Sequence, residues 1–544
     1  MSKKAQKKTN KGTQKKTQEK PQNKLQEILS RRVELEKFTF WRIFAAQVVL
    51  FFAIYGIMLA PRFSTDSYSV FFYTIGGLNG LLGSGRPGTY LLFRALLALG
   101  LNSVTLSPIF TAVFILTVSW SAAVLLTLLK PYFSSPSPNW LTVLLLELGI
   151  MQAYANIYFA ELYFFSDVAL NYTFATFFLT LALVLFCHRN QVVGAILALV
   201  CLFLSLSFYQ AFLGFFMIFG AMMTLLRHDI PGAGRRDLDL RRFVLDLLRL
   251  AAVGGGGSFG NVLLLNRLAA AGLDVSRGPS LHIAEIIRII RQAVAQFHYF
   301  YPMGYPDYLT GLPKLILVLA GPVLLCLLAV SFAKGGREDY PFSSAGITLL
   351  VLFCGLLSVF APHFISQSVW VSPRSICSFF AVFAVAAVVI GRNYLRDEKA
   401  MPWAGTLVLL LLLIVNIVGI QGIALDQMEV NRQDKAEMEE IIHYIQRYEE
   451  QSGQTVDTIS WTRDNYYTPS HPEIKYTFMD MNVRAAARSW SLIDCINYYS
   501  GRRFKSEYMP EEVWEKYFRG QEWDFFRPEE QIRFEGNKMY LMVY

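Results

Sequence analysis

The stretch "RPGTYLLFRALLALGLN" (Arg86–Asn102) decides the fold, because it resembles a membrane span and every topological assignment after it depends on whether it crosses. It is shorter than the ~20 apolar residues a span needs, it carries Arg94, and it opens on Arg86-Pro87. It therefore reads as a juxtamembrane or re-entrant helix. The stretch before it, "APRFSTDSYSVFFYTIGG" (Ala60–Gly77), then begins a long loop on the same side, with Asp66 at its head among Ser, Thr and Tyr.

The remainder of the chain supports a membrane reading. Of 544 residues, 54% are hydrophobic and only 17% charged, which is too little charge for an ordinary soluble domain. Eleven apolar runs qualify as spans: 40–60, 105–129, 139–154, 166–187, 192–207, 209–226, 246–267, 314–333, 344–361, 374–391 and 402–422. The expectation is an all-α polytopic bundle. Residues 1–37 hold twelve Lys/Arg against four Glu and no run that could build a core, so they form a basic disordered tail. Beside a membrane span, the tail reads as an anchor on anionic lipids and not as a nucleic-acid arm. No cleavable signal precedes the first span. Five of the six cysteines fall in or beside apolar runs and only Cys495 in a soluble region, so neither a disulfide framework nor a Cys-based metal site is indicated.

The tail puts the N-terminus in the cytoplasm, and alternation assigns the loops. The cytoplasmic set (130–139, 188–191, 227–245, 334–343, 392–401) carries twelve Lys/Arg in 53 residues. The external set (61–104, 154–165, 269–313, 362–373) carries six in 113. That asymmetry follows the positive-inside rule, and eleven crossings leave the C-terminus outside. Within the second long external loop, "SLHIAEIIRIIRQAVAQFHYF" (280–300) has the spacing of an amphipathic interfacial helix. From residue 425 the texture becomes polar. A helix, a strand at "TVDTISW" and a terminal hairpin turning at Glu535-Gly536-Asn537 predict a small extracytoplasmic α/β domain over 425–544, following a catalytic membrane domain over 38–424.

Under this topology the polar clusters gather on the external side: "STDSY" (64–68), "GSGRPGTY" (83–90), "YANIYFAELYFFSD" (154–167), "SFYQ" (207–210), "FHYFYPMGYPDY" (297–308) and "PHFISQSVWVSPRS" (362–375). An interfacial belt accounts for their tyrosines, but not for Asp66, Glu161, Asp167, Gln210 and Arg374 at successive external ends. Such a set predicts a cavity at the external interface, with His298 of the 297–308 cluster facing it as well. No phosphate-binding G-x-x-x-x-G-K-[ST] is present, and "GGGGSFG" (254–260) lies within a span, where close helix packing explains it. A lipid-adjacent external site without nucleotide motifs favours a lipid-carried substrate; suppose that it is a sugar attached to a long-chain lipid phosphate. The phosphate leaves without protonation, so the chemistry needs a carboxylate to take the attacking hydroxyl's proton and cations to hold the phosphate. Asp66 fits the first role. Arg86 and Arg374 fit the second, with Arg62, Arg288 and Arg291 behind them.

Asp66 after the first span, "GSGRPGTYLL" (83–92), "SFYQAFLGFF" (207–216) and "SPRS" (372–375) give the chain its family likeness. Over most of residues 40–425 it resembles the bacterial membrane glucosyltransferases of the O-antigen-modifying type II family, within the GT-C superfamily. The resemblance implies a GT-C-like bundle in the bacterial plasma membrane, a polyprenyl-phosphate-linked hexose donor, glucose foremost, and an extracytoplasmic glycan acceptor. It implies Asp66 as catalytic base and Arg86 as a substrate-binding residue, with Tyr209 and Gln210 lining the donor or acceptor pocket and Arg374 near the phosphate. The family often carries two adjacent acids at the first-loop site, whereas Asp66 is flanked by Thr65 and Ser67. A divalent cation there would need Glu161 or Asp167 as second ligand, and no cofactor is assigned. The rival reading is a transporter or flippase of lipid-linked saccharides, suggested by Glu147 in mid-span. A protonated Glu147 hydrogen-bonded between helices is the plainer account.

Overall fold

The computed structural model describes residues 31–74, 78, 81–82, 84–134, 137–228, 240–273, 311–335, 341–364, 371–395, 402–464, 469–474 and 480–544, with scattered positions between 284 and 295. The described membrane part consists of α1 (Phe40–Tyr55), α2 (Thr65–Phe71), α3 (Pro87–Ala98), α4 (Ser107–Phe133), α5 (Trp140–Tyr154), α6 (Ile157–Phe164), α7 (Ala169–Phe186), α8 (Gln191–Phe208), α9 (Leu213–Arg227), α10 (Leu240–Ala270), α11 (Leu312–Gly335), α12 (Pro341–Val359), α13 (Ala381–Tyr394) and α14 (Pro402–Ser452). All eleven apolar runs are helical. Among the described residues nine helices are by themselves long and apolar enough to cross a membrane, or up to ten if the bent pair α5–α6 is one span, while Ser344–Val359 is a shorter apolar helix. The chain is a multi-pass membrane protein. The stretch that decided the sequence reading forms α3, whose 12 residues extend about 18 Å, well short of a hydrocarbon core of about 30 Å.

Two local features place polar residues at one end of the bundle. Residues 154–165, expected as a loop, are instead mostly helix. Asn156 ends α5 by donating to the Gln152 carbonyl (2.8 Å), and its Oδ1 caps α6 by accepting from Phe159 N (2.9 Å). The axis turns by 45° there, which carries Glu161 into the interior. The stacked rings of Tyr55 and Tyr163, 4.2 Å apart, tie α6 to the end of α1, a contact worth about 0.5–1.5 kcal/mol beyond the area it buries. The second feature is the "GSGRPG" turn before α3. Gly85 sits at φ +77°, a left-handed conformation that favours glycine. A Cβ on Gly88 would lie 2.5 Å from Ser207 Oγ, so glycine is what lets α3 reach α8. The glycines of 254–260 do pack closely: Gly256, Gly257 and Gly260 on α10 meet Leu199, Leu202 and Phe203 of α8.

Beyond the bundle α14 continues without a break through position 425, a single helix of 51 residues. It leads into a four-stranded sheet of order β2-β1-β4-β3, with β1 (Thr458–Arg463) parallel to both β2 (Lys505–Tyr508) and β4 (Lys538–Val543), and β3 (Ile532–Glu535) antiparallel to β4. The hairpin turns at the expected Gly536, which adopts φ +62°. The helix α15 (Leu492–Ser500) packs between this sheet and α2, and Tyr68 of α2 is buried in the small domain's own core. All six cysteines are free.

Candidate active site

Asp66 lies in the first turn of α2, which Ser64 and Ser67 cap reciprocally. The same two hydroxyls donate to Asp167 Oδ1, Ser67 at 2.8 Å and Ser64 at 3.4 Å. Asp167 thus lies directly behind the helix start that presents Asp66. Its own Oδ2 is buried and has no hydrogen-bond partner among the described residues. Asp66 remains partly exposed, and its Oδ1 accepts a 3.0 Å hydrogen bond from Trp490 Nε1 of the C-terminal region. Ser69 Oγ donates to the Trp490 carbonyl at 2.6 Å, so the contact has two anchors. Burial pushes the Asp66 carboxyl above the usual carboxylate range. Arg374, the Trp490 hydrogen bond and Arg86 pull it down, while Asp480 pushes with burial.

Glu161 is 0% exposed, and both its oxygens accept from Arg374, whose backbone N–H donates to Oε2 and whose Nη1 donates to Oε1 at 2.7 Å. The guanidinium lies 4.1 Å from the centre of the Phe165 ring, and its Nη2 reaches Asp480 Oδ2 at 3.1 Å. Asp480 also accepts from Arg488 at 3.2 Å, and Arg488 lies over the Trp490 ring. An alternating chain of charges therefore runs from Glu161 inside the bundle through Arg374 and Asp480 to Arg488, which lies over Trp490. Arg86, at the N-cap of α3, lies over the Tyr209 ring at 5.0 Å and forms no ion pair among the described residues. Gln210 donates to the Gly85 carbonyl, fixing the turn that carries Arg86.

Arg86, Tyr209, Gln210 and Arg374 line one cavity of ≈ 470 Å³. Its far walls are apolar or small, including Leu206, Met217, Gly254, Gly255 and Leu265. His363 also lines it, with Nε2 3.0 Å from Ser375 Oγ, and burial holds its imidazole down at about 4, hence neutral. The polar end of such a cavity suits a phosphate and the apolar part a hydrocarbon chain.

Of the residues expected at the site, the structure brings together Asp66, Asp167, Glu161, Arg374, Arg86, Tyr209 and Gln210. His298 and most of the 280–300 amphipathic segment lie outside the described residues. Arg62 is spent within the fold, donating to the carbonyls of Met58 (2.7 Å) and Tyr163 (3.2 Å). Glu147, midway along α5, accepts from Gln47 of α1. Sequence reasoning missed Asp480, Arg488 and Trp490. A tryptophan within a polar segment ("ARSWSL") was the available signal for the last of them. Among the described residues no group of three or more His, Cys, Asp or Glu is disposed to hold a metal ion.

A bundle of apolar helices encloses a largely apolar cavity with two guanidiniums, those of Arg86 and Arg374, in its lining, and Asp66 lies within electrostatic reach of both without lining it. Residues 55–391, more than half of the chain, match the family described as Glucosyl transferase GtrII, and the chain belongs to that family. It is a membrane glycosyltransferase. No curated protein and no solved structure matches it. The matched span ends before Asp480, Arg488 and Trp490, so part of the charge network around Asp66 comes from outside it.

Proposed function

We propose that the protein transfers glucose from a polyprenyl-phosphate-linked donor to an extracytoplasmic glycan, with Asp66 as general base. The observation that carries this reading is the partly exposed Asp66 carboxylate, held by Trp490 and within electrostatic reach of both Arg86 and Arg374, which line the cavity. The donor phosphate sits at the polar end of the cavity and its prenyl chain runs along the apolar walls. Arg86 is the principal phosphate ligand, because Arg374 already faces two carboxylates. The acceptor hydroxyl attacks the anomeric carbon, and a new glycosidic C–O bond forms as the C–O bond to phosphate breaks. The hydroxyl proton passes to Asp66, and the bond's electron pair leaves on the phosphate, whose charge Arg86 meets. Glu161 positions Arg374, and Asp167 positions the helix start that presents Asp66. The basic tail and the loop charges support a cytoplasmic N-terminus, which puts the site and the 425–544 domain outside.

The deciding experiment assays membranes for transfer from polyprenyl-phosphate glucose, comparing wild type with Asp66→Asn. Loss of a general base lowers the rate by ~10²–10⁴-fold. Full transfer by the Asn variant would sink the base assignment, and absence of any donor turnover by the wild type would favour the transporter.

A further inference from the structure

A second cavity, ≈ 680 Å³, lies between α1, α4 and α5 at the end of the bundle away from Asp66. From Arg42 on its rim to Leu59 at the site end, α1 and its extension cover about 25 Å. The cavity is built by the chain itself. Residues 31–38 lie across the α4–α5 connection through the Arg32–Asn139 bridge and a 2.8 Å bond from Val33 N to the Pro138 carbonyl.

Its chemistry is divided by depth. The lining holds five cations (Arg31, Arg32, Lys37, Arg42, Lys130) against two carboxylates, Glu34 and Glu147. Glu34 pairs with Lys37 at 2.9 Å, and Glu147 accepts from Gln47. Among the described residues Arg42 and Lys130 donate only to neutral carbonyls, those of Lys37 (3.1 Å) and Phe38. Neither has a carboxylate partner among the described residues, so their charge stays available. Deeper in, Gln47 is 1% exposed and its Oε1 has no hydrogen-bond partner among the described residues. The side walls are apolar and open laterally, with Leu50 and Leu144 37% and 38% exposed, which fits hydrocarbon and not a soluble anion.

We propose that this cavity binds one anionic phospholipid, its phosphate on Arg42 and Lys130 and one acyl chain between Leu50 and Leu144. A zwitterionic lipid brings its own ammonium to the same rim and gains less. The site is independent of the glucosyl-transfer reading.

The test uses the full-length protein in detergent with three probes: palmitoyl-oleoyl phosphatidylglycerol, the phosphatidylcholine of the same chains, and inorganic phosphate. Native mass spectrometry and thermal unfolding supply the readouts. The expected result is one phosphatidylglycerol retained per chain, a raised unfolding temperature with that lipid alone, and roughly a tenfold loss of retention in Arg42→Gln/Lys130→Gln. Ala46→Phe, which fills the cavity wall and keeps every charge, should abolish retention, and it decides the matter if the double variant fails to fold. Deleting residues 2–29 should leave retention intact. Equal retention of both phospholipids would overturn the proposal. So would retention by the Ala46→Phe variant, loss of retention with the tail alone, or displacement of the lipid by inorganic phosphate.

Discussion

The indole N–H of Trp490 donates to Asp66 Oδ1 at 3.0 Å, joining residues 424 positions apart in the chain. The tryptophan is half exposed, and its carbonyl is held in turn by Ser69, one helical turn beyond Asp66. The C-terminal domain therefore reaches back to the first loop and touches the proposed base directly.

This contact predicts a pH effect. A hydrogen bond to the carboxylate favours its charged form, so Trp490→Phe should raise the Asp66 carboxyl further. A base works only when deprotonated. The acidic limb of the rate profile should therefore move to higher pH, with the rate at alkaline pH nearly retained. Transfer measured from pH 5 to 9 in both proteins tests this, and an unmoved acidic limb would count against the contact's role.

Asp66 should also cost stability. Burial raises its carboxyl in the folded state, so the folded protein binds the proton more tightly than the unfolded chain. Its contribution is then neutral below the ordinary carboxylate pKa of about 4 and becomes destabilising as pH rises through the folded value. Asp66→Asn should melt at a higher temperature than wild type at pH 7, with the gap closing toward pH 4. Melting curves in detergent across that range check the sign.

Arg374 should matter to folding more than to donor affinity. Its removal leaves Glu161 buried in the bundle without a partner, and breaking a buried pair costs about 3–5 kcal/mol. Arg374→Ala should be strongly destabilised, and adding Glu161→Gln should recover part of the loss. Unfolding of the single and double variants, read as a double-mutant cycle, measures the coupling.

Arg86 should behave the other way. It forms no ion pair among the described residues, so Arg86→Gln should fold normally. Loss of one charge-assisted hydrogen bond to phosphate, about 1.5–3 kcal/mol, should lower kcat/KM for the donor roughly ten- to a hundredfold. A variant with unchanged kcat/KM would remove Arg86 from the phosphate site.

The eleven helical runs, the shortness of α3, the terminal hairpin and the polar clusters were legible in the linear chain. Each depends on local properties: apolar run length, an arginine and a proline in a short segment, glycine at a turn. Glu161 was legible as a polar residue near the site but not as a buried one, because the Asn156 break that carries α6 inward is a matter of capping and packing. The roles of Arg86 and Arg374 could not be separated in sequence either. Both are arginines beside spans, and only the fold sets one against Glu161 and Asp480 and leaves the other over Tyr209.

By itself, then, the sequence determined that this is a membrane glycosyltransferase of the glucosyl transferase family with Asp66 at the head of its first loop, since hydropathy and short motifs are written along the chain. The tertiary structure alone decided which groups surround that aspartate. Trp490, Asp480 and Arg488 lie more than 400 residues away and carry no local mark of proximity, and they arrive only because α14 runs unbroken from the membrane part into the domain that folds back onto α2.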